Sequence, residues 1–426
     1  MIVMMIITFL VLLVLGVPIA FSMGISAVLY ILIEGIPAEM AAQQFFSTTQ
    51  SFVFLAIPFF ILAGNLMIHG GIAYRIINLA DSLVRQLPGG LACVSVITSM
   101  AMAGVSGSSV ADAASTGSVL IPEMKKKGYT SSFSAAINAS SSVVGIIIPP
   151  SSTMIIIAWL ADVSVGKMFL AGVIPGLMIG IVYLIVTIII SVKRDYPRED
   201  SFSWSNFFDS LKKSIVALVL PFIIIGSIIF GIATVTEAAV LAVVYAFLVG
   251  TIVYRELTFK NIFQSLKESV HGTTIVLFVV CASMIFNWIL ISEGIPKLIS
   301  EAILSLGWSD WAIFLLLVFI MLLAGTFMEL VPNLFLFIPI FFPIATDLGM
   351  DPIQFSIVML VSFAMGLFTP PVGSTLFISC YIAGIGIEKA VKDIIPYFIA
   401  GVFVIILITF IPSLTLWLPN LFDGLK

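Results

Sequence analysis

The sequence predicts an all-α polytopic membrane protein built from two inverted-topology repeats, each with a hairpin-like segment and a broken helix. Three observations predict it. Of 426 residues, 61% are hydrophobic and only 9% charged, whereas soluble domains carry about 25% charged residues. Residues 100–180 recur as 321–401 at a fixed offset of 221 with no gap. Met100, Ala103, Gly104, Val110, Pro122, Gly128, Ser141, Gly145, Pro149, Pro150, Ile157, Ile174, Pro175 and Gly180 then fall on identical residues. Chance aligns many Ile, Leu and Val in an apolar chain, but not two adjacent prolines, two more prolines and four glycines, so the match is an internal duplication. The third observation is that basic residues flank the two copies on opposite sides.

Apolar runs of about 20 residues read as spanning helices. Residues 1–33 are too long for one short span and are interrupted at Gly16-Val17-Pro18; their counterpart is 214–254, where Gly231, Ala242 and Tyr245 match Gly16, Ala27 and Tyr30. Each reads as a pair of short helices or one kinked helix. An amphipathic stretch (37–51), a span (52–68), a second amphipathic stretch (72–86), a hairpin-like segment (91–124), a broken span (130–160) and a span (168–192) follow. The second half repeats this order with an amphipathic stretch (257–270), a span (273–291), a connecting helix (296–306), a hairpin-like segment (311–345), a broken span (352–382) and a last span (394–417). The N-terminus lacks a basic region and a cleavage site and reads as a membrane segment, not a signal peptide. Cys93, Cys281 and Cys380 are scattered through apolar segments and read as core thiols. With only His69 and His271 in the chain, no transition-metal site is expected.

Positive charge marks the cytoplasmic side of short loops. Lys125-Lys126-Lys127 follows the first hairpin, whereas Thr346-Asp347-Leu348 follows the second. Arg255, Lys260 and Lys267 make one flank basic where its counterpart carries only Glu34 and Glu39, and Arg75 and Arg85 stand against Glu293, Lys297, Glu301 and Asp310. The halves therefore have opposite topology. Lys193, Arg194, Arg198, Lys212 and Lys213 make the central linker cytoplasmic, and the count of spans puts both termini on the far side. Inverted repeats with broken helices at equivalent positions point to a secondary transporter whose site lies at the repeat interface.

The breaks carry the chemistry. Residues 145–152 read GIIIPPSS and 366–374 read GLFTPPVGS. Proline has no amide hydrogen, so Pro149 and Pro150 leave the carbonyls of Gly145 and Ile146 without helical donors, and the second repeat frees those of Gly366 and Leu367. Unpaired carbonyls in a bilayer cost several kcal/mol unless something meets them. A Na+ ion, which takes oxygen ligands, would do so; a kinked helix patched by water or hydroxyls is the plainer alternative for one motif, but two equivalent copies favour the ion. The partner run 104–112, GVSGSSVAD, places small hydroxyls and glycines in an apolar hairpin. Asp112 is an ionisable residue inside an apolar segment, which is by default a functional position. Its equivalent is Asn333, and Glu329 stands opposite Ser108; Glu237 reads equally as a helix cap or as a site residue. Helix N-termini at the breaks and tips offer amides to an anion. Few cationic side chains lie within the spans. A small carboxylate accompanied by cations fits, with Ser109, Asp112, Ser152, Asn333 and Ser374 as candidate contacts.

Taken together, Gly16-Val17-Pro18, IPFFILAG at 57–64, GVSGSSVADA at 104–113, IIPPS at 147–151, TVTEAA at 234–239 and TPPVG at 369–373 resemble the large membrane subunit of the tripartite ATP-independent periplasmic (TRAP) transporters over nearly the whole chain. The resemblance implies a scaffold with arm helices around a mobile domain of two re-entrant hairpins that moves as an elevator, a fold similar to that of divalent-anion/sodium symporters. On that basis 1–90 and 214–310 are scaffold and arms, 91–167 and 311–390 the two halves of the transport domain, 168–213 a span with a cytoplasmic linker, and 391–426 the last span. It also implies one Na+ site among Ser106, Ser108, Gly145, Ile148 and Pro150, a second among Gly325, Gly366, Thr369 and Pro371, and no organic cofactor. Implied partners are a separate small four-helix membrane subunit (Q type), a periplasmic substrate-binding protein (P type), a small anionic substrate and the lipid of a bacterial cytoplasmic membrane; no nucleic acid is expected. Many members read Asp-Pro-Thr-Ala after the second hairpin's glycine and Asn before the second glycine break. Here Glu329-Leu330-Val331-Pro332-Asn333 and Ser362 stand there, which leaves C4-dicarboxylates and sugar acids such as sialic acid as substrate classes.

Two other functions compete. A stand-alone sodium/divalent-anion symporter would need no binding protein. Gly104-Val105-Ser106-Gly107 fits the GxSG nucleophile motif of intramembrane serine proteases, but such a serine needs a base within hydrogen-bond reach. Both histidines are expected at span ends, and the duplication has no place in that scheme. The chain is therefore expected to have no catalytic residues.

Overall fold

The computed structural model describes residues 1–47, 50–198 and 202–423, with no strand among them. In the first half, α1 (Ile2–Val14) and α2 (Ile19–Ile33) are separated where Gly16 takes a left-handed φ of +79° and Pro18 caps α2. Then come α3 (Ala38–Ser47), a 3-10 turn (Phe52–Leu55), α4 (Ala56–His69) and α5 (Ile72–Val84). The hairpin is α6 (Gly90–Ser106) and α7 (Ser109–Lys126); the broken span is α8 (Ser131–Ser142), α9 (Val144–Ile147) and α10 (Ser152–Leu160), bent by 52°; α11 (Val165–Lys193) closes the half. The second half holds α12 (Trp204–Ile229), α13 (Val235–Leu248), α14 (Phe259–Ser292), α15 (Ile295–Leu304), the hairpin α16 (Asp310–Phe327) and α17 (Leu330–Asp347), the broken span α18 (Pro352–Gly366) and α19 (Ser374–Ala383), then α20 (Ile387–Phe410) and α21 (Ser413–Asp423). The tips at Ser106 and Phe327, and the restarts at Ser109 and Leu330, keep the 221-residue offset to the residue. Among the described residues eight helices are long and apolar enough to cross a bilayer, and the bent pair in the first half makes a ninth.

Three boundaries differ from those the sequence predicts. The amphipathic stretch and span expected around His271-Gly272 are one 34-residue helix, α14. Gly272 faces Ile61 of α4, 3.5 Å from where its Cβ would stand, so packing carries the helix through a weak local propensity. Upstream, α12 starts at Trp204 because Ser203 caps it, accepting from the Asn206 amide. The last span starts at Ile387 and ends before Pro412, beyond which α21 turns back onto α11.

Packing joins the repeats at the centre. One apolar core, holding Phe335, Phe355, Phe363, Phe368, Tyr183 and Tyr397, runs through both hairpins, both broken helices, α11 and α20. Helix α19 of the second repeat lies on α7 and α8 of the first. Two smaller cores join α4, α5, α12 and α13, and α1, α2 and α14.

Candidate substrate cavity and cation-binding oxygens

Each hairpin tip is two residues long. In the first, Gly107 adopts φ +58° and extended Ser108 caps α7, its Oγ accepting from the Ala111 amide at 3.4 Å. In the second, Met328 and Glu329 are extended and α17 starts at Leu330. Each tip is tied to the break of its own repeat. The Ser152 Oγ donates to the Gly107 carbonyl (3.4 Å), and the Val372 amide donates to the Thr326 carbonyl (3.2 Å). Both Pro-Pro peptides are cis.

The first residues of α7, α10, α17 and α19 converge on one cavity of about 340 Å³. Ser109, Ser152, Glu329 and Ser374 line it, and Asn65 of α4 and Glu268 of α14 form the opposite wall. Among the described residues no Arg or Lys lines it. Four helix N-termini turn partial positive charge to it, an arrangement able to meet an anion with backbone and hydroxyls and without a guanidinium. The Ser374 hydroxyl is buried without a partner.

The prolines free the carbonyls of the first repeat but not those of the second. Among the described residues no donor meets Gly145 or Ile146. In the second repeat the Thr369 amide donates to Gly366 at 3.0 Å, and the Thr375 amide and hydroxyl both donate to Leu367, at 2.9 and 2.8 Å. Met154 occupies the place of Thr375 in the first repeat, so no hydroxyl is available to do the same. Asp112 is fully buried and lies by Gly145, its Oδ2 3.7 Å from where a Cβ on that residue would stand. Neither of its oxygens is hydrogen-bonded, the nearby Ser99 hydroxyl being turned to Ser141 (3.4 Å). An unpaired buried carboxylate beside unpaired carbonyls is costly alone and is an oxygen-only nest suited to a hard cation. Ser108 lies at the tip close by, Ile148 and Pro150 lie in the break, and the side chain of Ser106 is outside the described residues. At the second candidate site Gly325 and Gly366 stand back to back, while the Thr369 hydroxyl turns to its own helix, donating to the Met365 carbonyl at 2.6 Å, and Pro371 is exposed. No group of three or more His, Cys, Asp or Glu that could hold a metal ion occurs among the described residues.

Of the candidate substrate contacts, Ser109, Ser152 and Ser374 line the cavity, whereas Asp112 and Asn333 are buried outside its wall. Asn333 clamps its own tip, donating to the Met328 carbonyl at 3.0 Å. Glu237 is a helix cap: its carboxylate accepts from the Thr234 amide (2.7 Å) and Thr234 accepts from its amide, a reciprocal capping box. Sequence reasoning passed over Asn138, which accepts from Thr116 and donates to the Ala113 carbonyl and to Ser379, all at 2.9 Å. It pins α7 and α8 to α19 across the repeats. An amide in the middle of an apolar span was the available signal. His69 pairs with Glu268 at 2.9 Å.

Two duplicated units whose tips and breaks enclose one cavity of mixed apolar and hydroxyl lining inside a membrane-spanning bundle define the architecture of a membrane transporter. The sequence profile of the family described as "Tripartite ATP-independent periplasmic transporter, DctM component" matches residues 6–414, and the chain belongs to that family. It is 37% identical over 400 residues to the C4-dicarboxylate TRAP transporter large permease protein DctM of Pseudomonas aeruginosa, covering 94% of each chain. It is 34% identical over 410 residues to the sialic acid TRAP transporter large permease protein SiaM of Vibrio cholerae, covering 96% of each. Among solved structures it resembles the YdaH transporter of Alcanivorax borkumensis, with a TM-score of 0.61 at 14% identity over 89% of this chain and 87% of that one, a likeness of fold alone.

Proposed function

We propose that this chain is the permease of a Na+-coupled importer of a small organic acid, working in a bacterial cytoplasmic membrane with a separate small membrane subunit and a periplasmic binding protein. The observation that carries the reading is the meeting of four helix N-termini at one cavity beside the open carbonyls of Gly145 and Ile146 and the unpaired carboxylate of Asp112. The N-termini hold the carboxylate of the substrate, and the oxygens hold Na+. An empty nest of buried oxygens is unfavourable, so cation and anion support each other's binding and cross together. The hairpins and broken helices travel as one body in an elevator movement, sliding on α4, α13 and α14, whose Ala56, Ile57, Ala239 and Val280 enter the same core. The relatives named for C4-dicarboxylates and for sialic acid suggest those two substrate classes.

Uptake of labelled sialic acid and of succinate into proteoliposomes holding this chain and its small subunit tests the reading, with and without an inward Na+ gradient and with and without the binding protein. Uptake that needs both is the expected result. Uptake driven by Na+ alone replaces it with the stand-alone symporter, and Na+-independent uptake removes the coupling ion.

A further inference from the structure

The charge of the central cavity suits a dicarboxylate poorly. Its lining holds two carboxylates, Glu329 of the second tip and Glu268 of α14, and among the described residues no Arg or Lys. The ionisable residues outside the described ones are Glu199, Asp200 and Lys426, and their described neighbours in the chain, Arg198, Phe202 and Asp423, are not in the lining. Gly104, Val105 and Ser106, next to the first tip, carry no charge. The side chains of the cavity therefore sum to a negative balance.

The two carboxylates are engaged differently. Glu268 is held from its own side: one oxygen lies 2.9 Å from His69 Nε2, and the other accepts from the Gln264 amide at 2.7 Å. Glu329 is exposed, and no hydrogen bond or ion pair joins its side chain to another described residue. It directly precedes α17, a position from which a carboxylate ordinarily turns back to the free amides of its own helix. Asp351 does so at α18, accepting from the amides of Ile353 and Gln354, and Glu237 is spent in the capping box of α13. Glu329 makes no such bond, and its tip is held instead by Asn333, which donates to the Met328 carbonyl. On α19 the Ser374 hydroxyl is likewise buried without a partner, at the start of a helix that has no side-chain cap. The cavity thus offers a hydroxyl and helix N-termini to an anion, and an unpaired carboxylate to a cation.

We propose that the substrate is a small zwitterion, whose carboxylate meets Ser374 and the start of α19 and whose protonated amine donates to Glu329. This rests on the central cavity being the substrate site and narrows what it takes. A dicarboxylate would bring its second carboxylate to a cavity that already holds Glu329 and Glu268, and like charges withdrawn from water repel. An ammonium group in that place makes charge-assisted hydrogen bonds. The volume of about 340 Å³ lies at the small end of ligand cavities and suits a molecule of amino-acid size.

The test is calorimetric titration, in Na+, of the full chain purified with its small subunit. Each amino acid is compared with the dicarboxylate of the same methylene count: glycine with malonate, β-alanine with succinate, γ-aminobutyrate with glutarate. Butyrate serves as the carboxylate without an amine. At the length that fits, the amino acid is expected to bind on the order of tenfold more tightly than its dicarboxylate. Glu329→Gln should abolish that difference and still bind butyrate as the parent does; the side chain holds no contact of the fold, so the melting midpoint without ligand should not move. Equal or tighter binding of the dicarboxylates at every length overturns the proposal while leaving the transporter reading intact. So does a preference that survives Glu329→Gln, or loss of butyrate binding in that variant at an unchanged midpoint, which makes Glu329 a holder of the coupling cation. Absence of Na+-dependent binding by any of these acids removes the transporter reading and this one with it.

Discussion

Replacing Gly366 by alanine puts a Cβ 2.1 Å from the carbonyl oxygen of Gly325 and 2.6 Å from its Cα. Both obstacles are backbone, so no side chain can swing aside, and α16 and α18 must separate by about 1.3 Å to restore an ordinary 3.4 Å contact. Overpacking of this kind costs about 1–3 kcal/mol, and the strain falls on backbone, which places it at the upper end. Alanine's better helix propensity returns at most about 1 kcal/mol. The equivalent change, Gly145→Ala, meets nothing closer than 3.7 Å among the described residues and keeps the propensity gain without the clash. Cys93, Cys281 and Cys380 are free and buried, so a thiol-reactive dye reports unfolding of the purified protein without added labels. Gly366→Ala should melt a few degrees below the parent, and Gly145→Ala at or slightly above it. Equal shifts for the two variants, or an unchanged midpoint for Gly366→Ala, would refute the close approach of Gly325 and Gly366.

Asn138→Leu keeps the volume but strips the amide that joins Thr116, Ala113 and Ser379; stranded buried partners cost about 1–3 kcal/mol each, so lower thermal stability and faster proteolysis between α7 and α8 are expected, and parental behaviour would mean that the three helices are held by apolar packing alone. Thr234→Ala removes the cap of α13 and should cost about 1 kcal/mol, whereas Glu237→Gln keeps an acceptor and should leave uptake intact; a transport loss confined to Glu237→Gln would return this residue to the site. Exchanging Na+ for K+ should lower the melting midpoint, by an amount corresponding to about 2.7 kcal/mol when Na+ stood at a hundredfold its dissociation constant, and Asp112→Ala should abolish that difference. A midpoint indifferent to the cation would leave the oxygen nest without its ion.

How far the sequence reached depends on whether a signal is local. A proline lacks its amide wherever it sits, and Gly16 or Gly107 can take a left-handed φ from its own covalent structure. The tips, the breaks and the duplication were therefore legible in the sequence, and so were Ser109, Ser152 and Ser374 as residues beside the first tip and the two breaks. What became of the freed carbonyls was not, because the donor comes from elsewhere: Thr375 reaches back over the second break to Leu367, while Met154 in the first has no donor to offer. Gly272 looked like a boundary and is helix interior because Ile61 packs on it. Glu329 and Glu268 line one cavity from opposite walls although they lie on elements whose approach no periodicity encodes. The sequence by itself determined where the chain must turn and which groups it leaves unsatisfied. Only the tertiary structure decided which of those groups meet one another, since a hydrogen bond or a close backbone approach needs two partners and the second is set by the packing of the whole bundle.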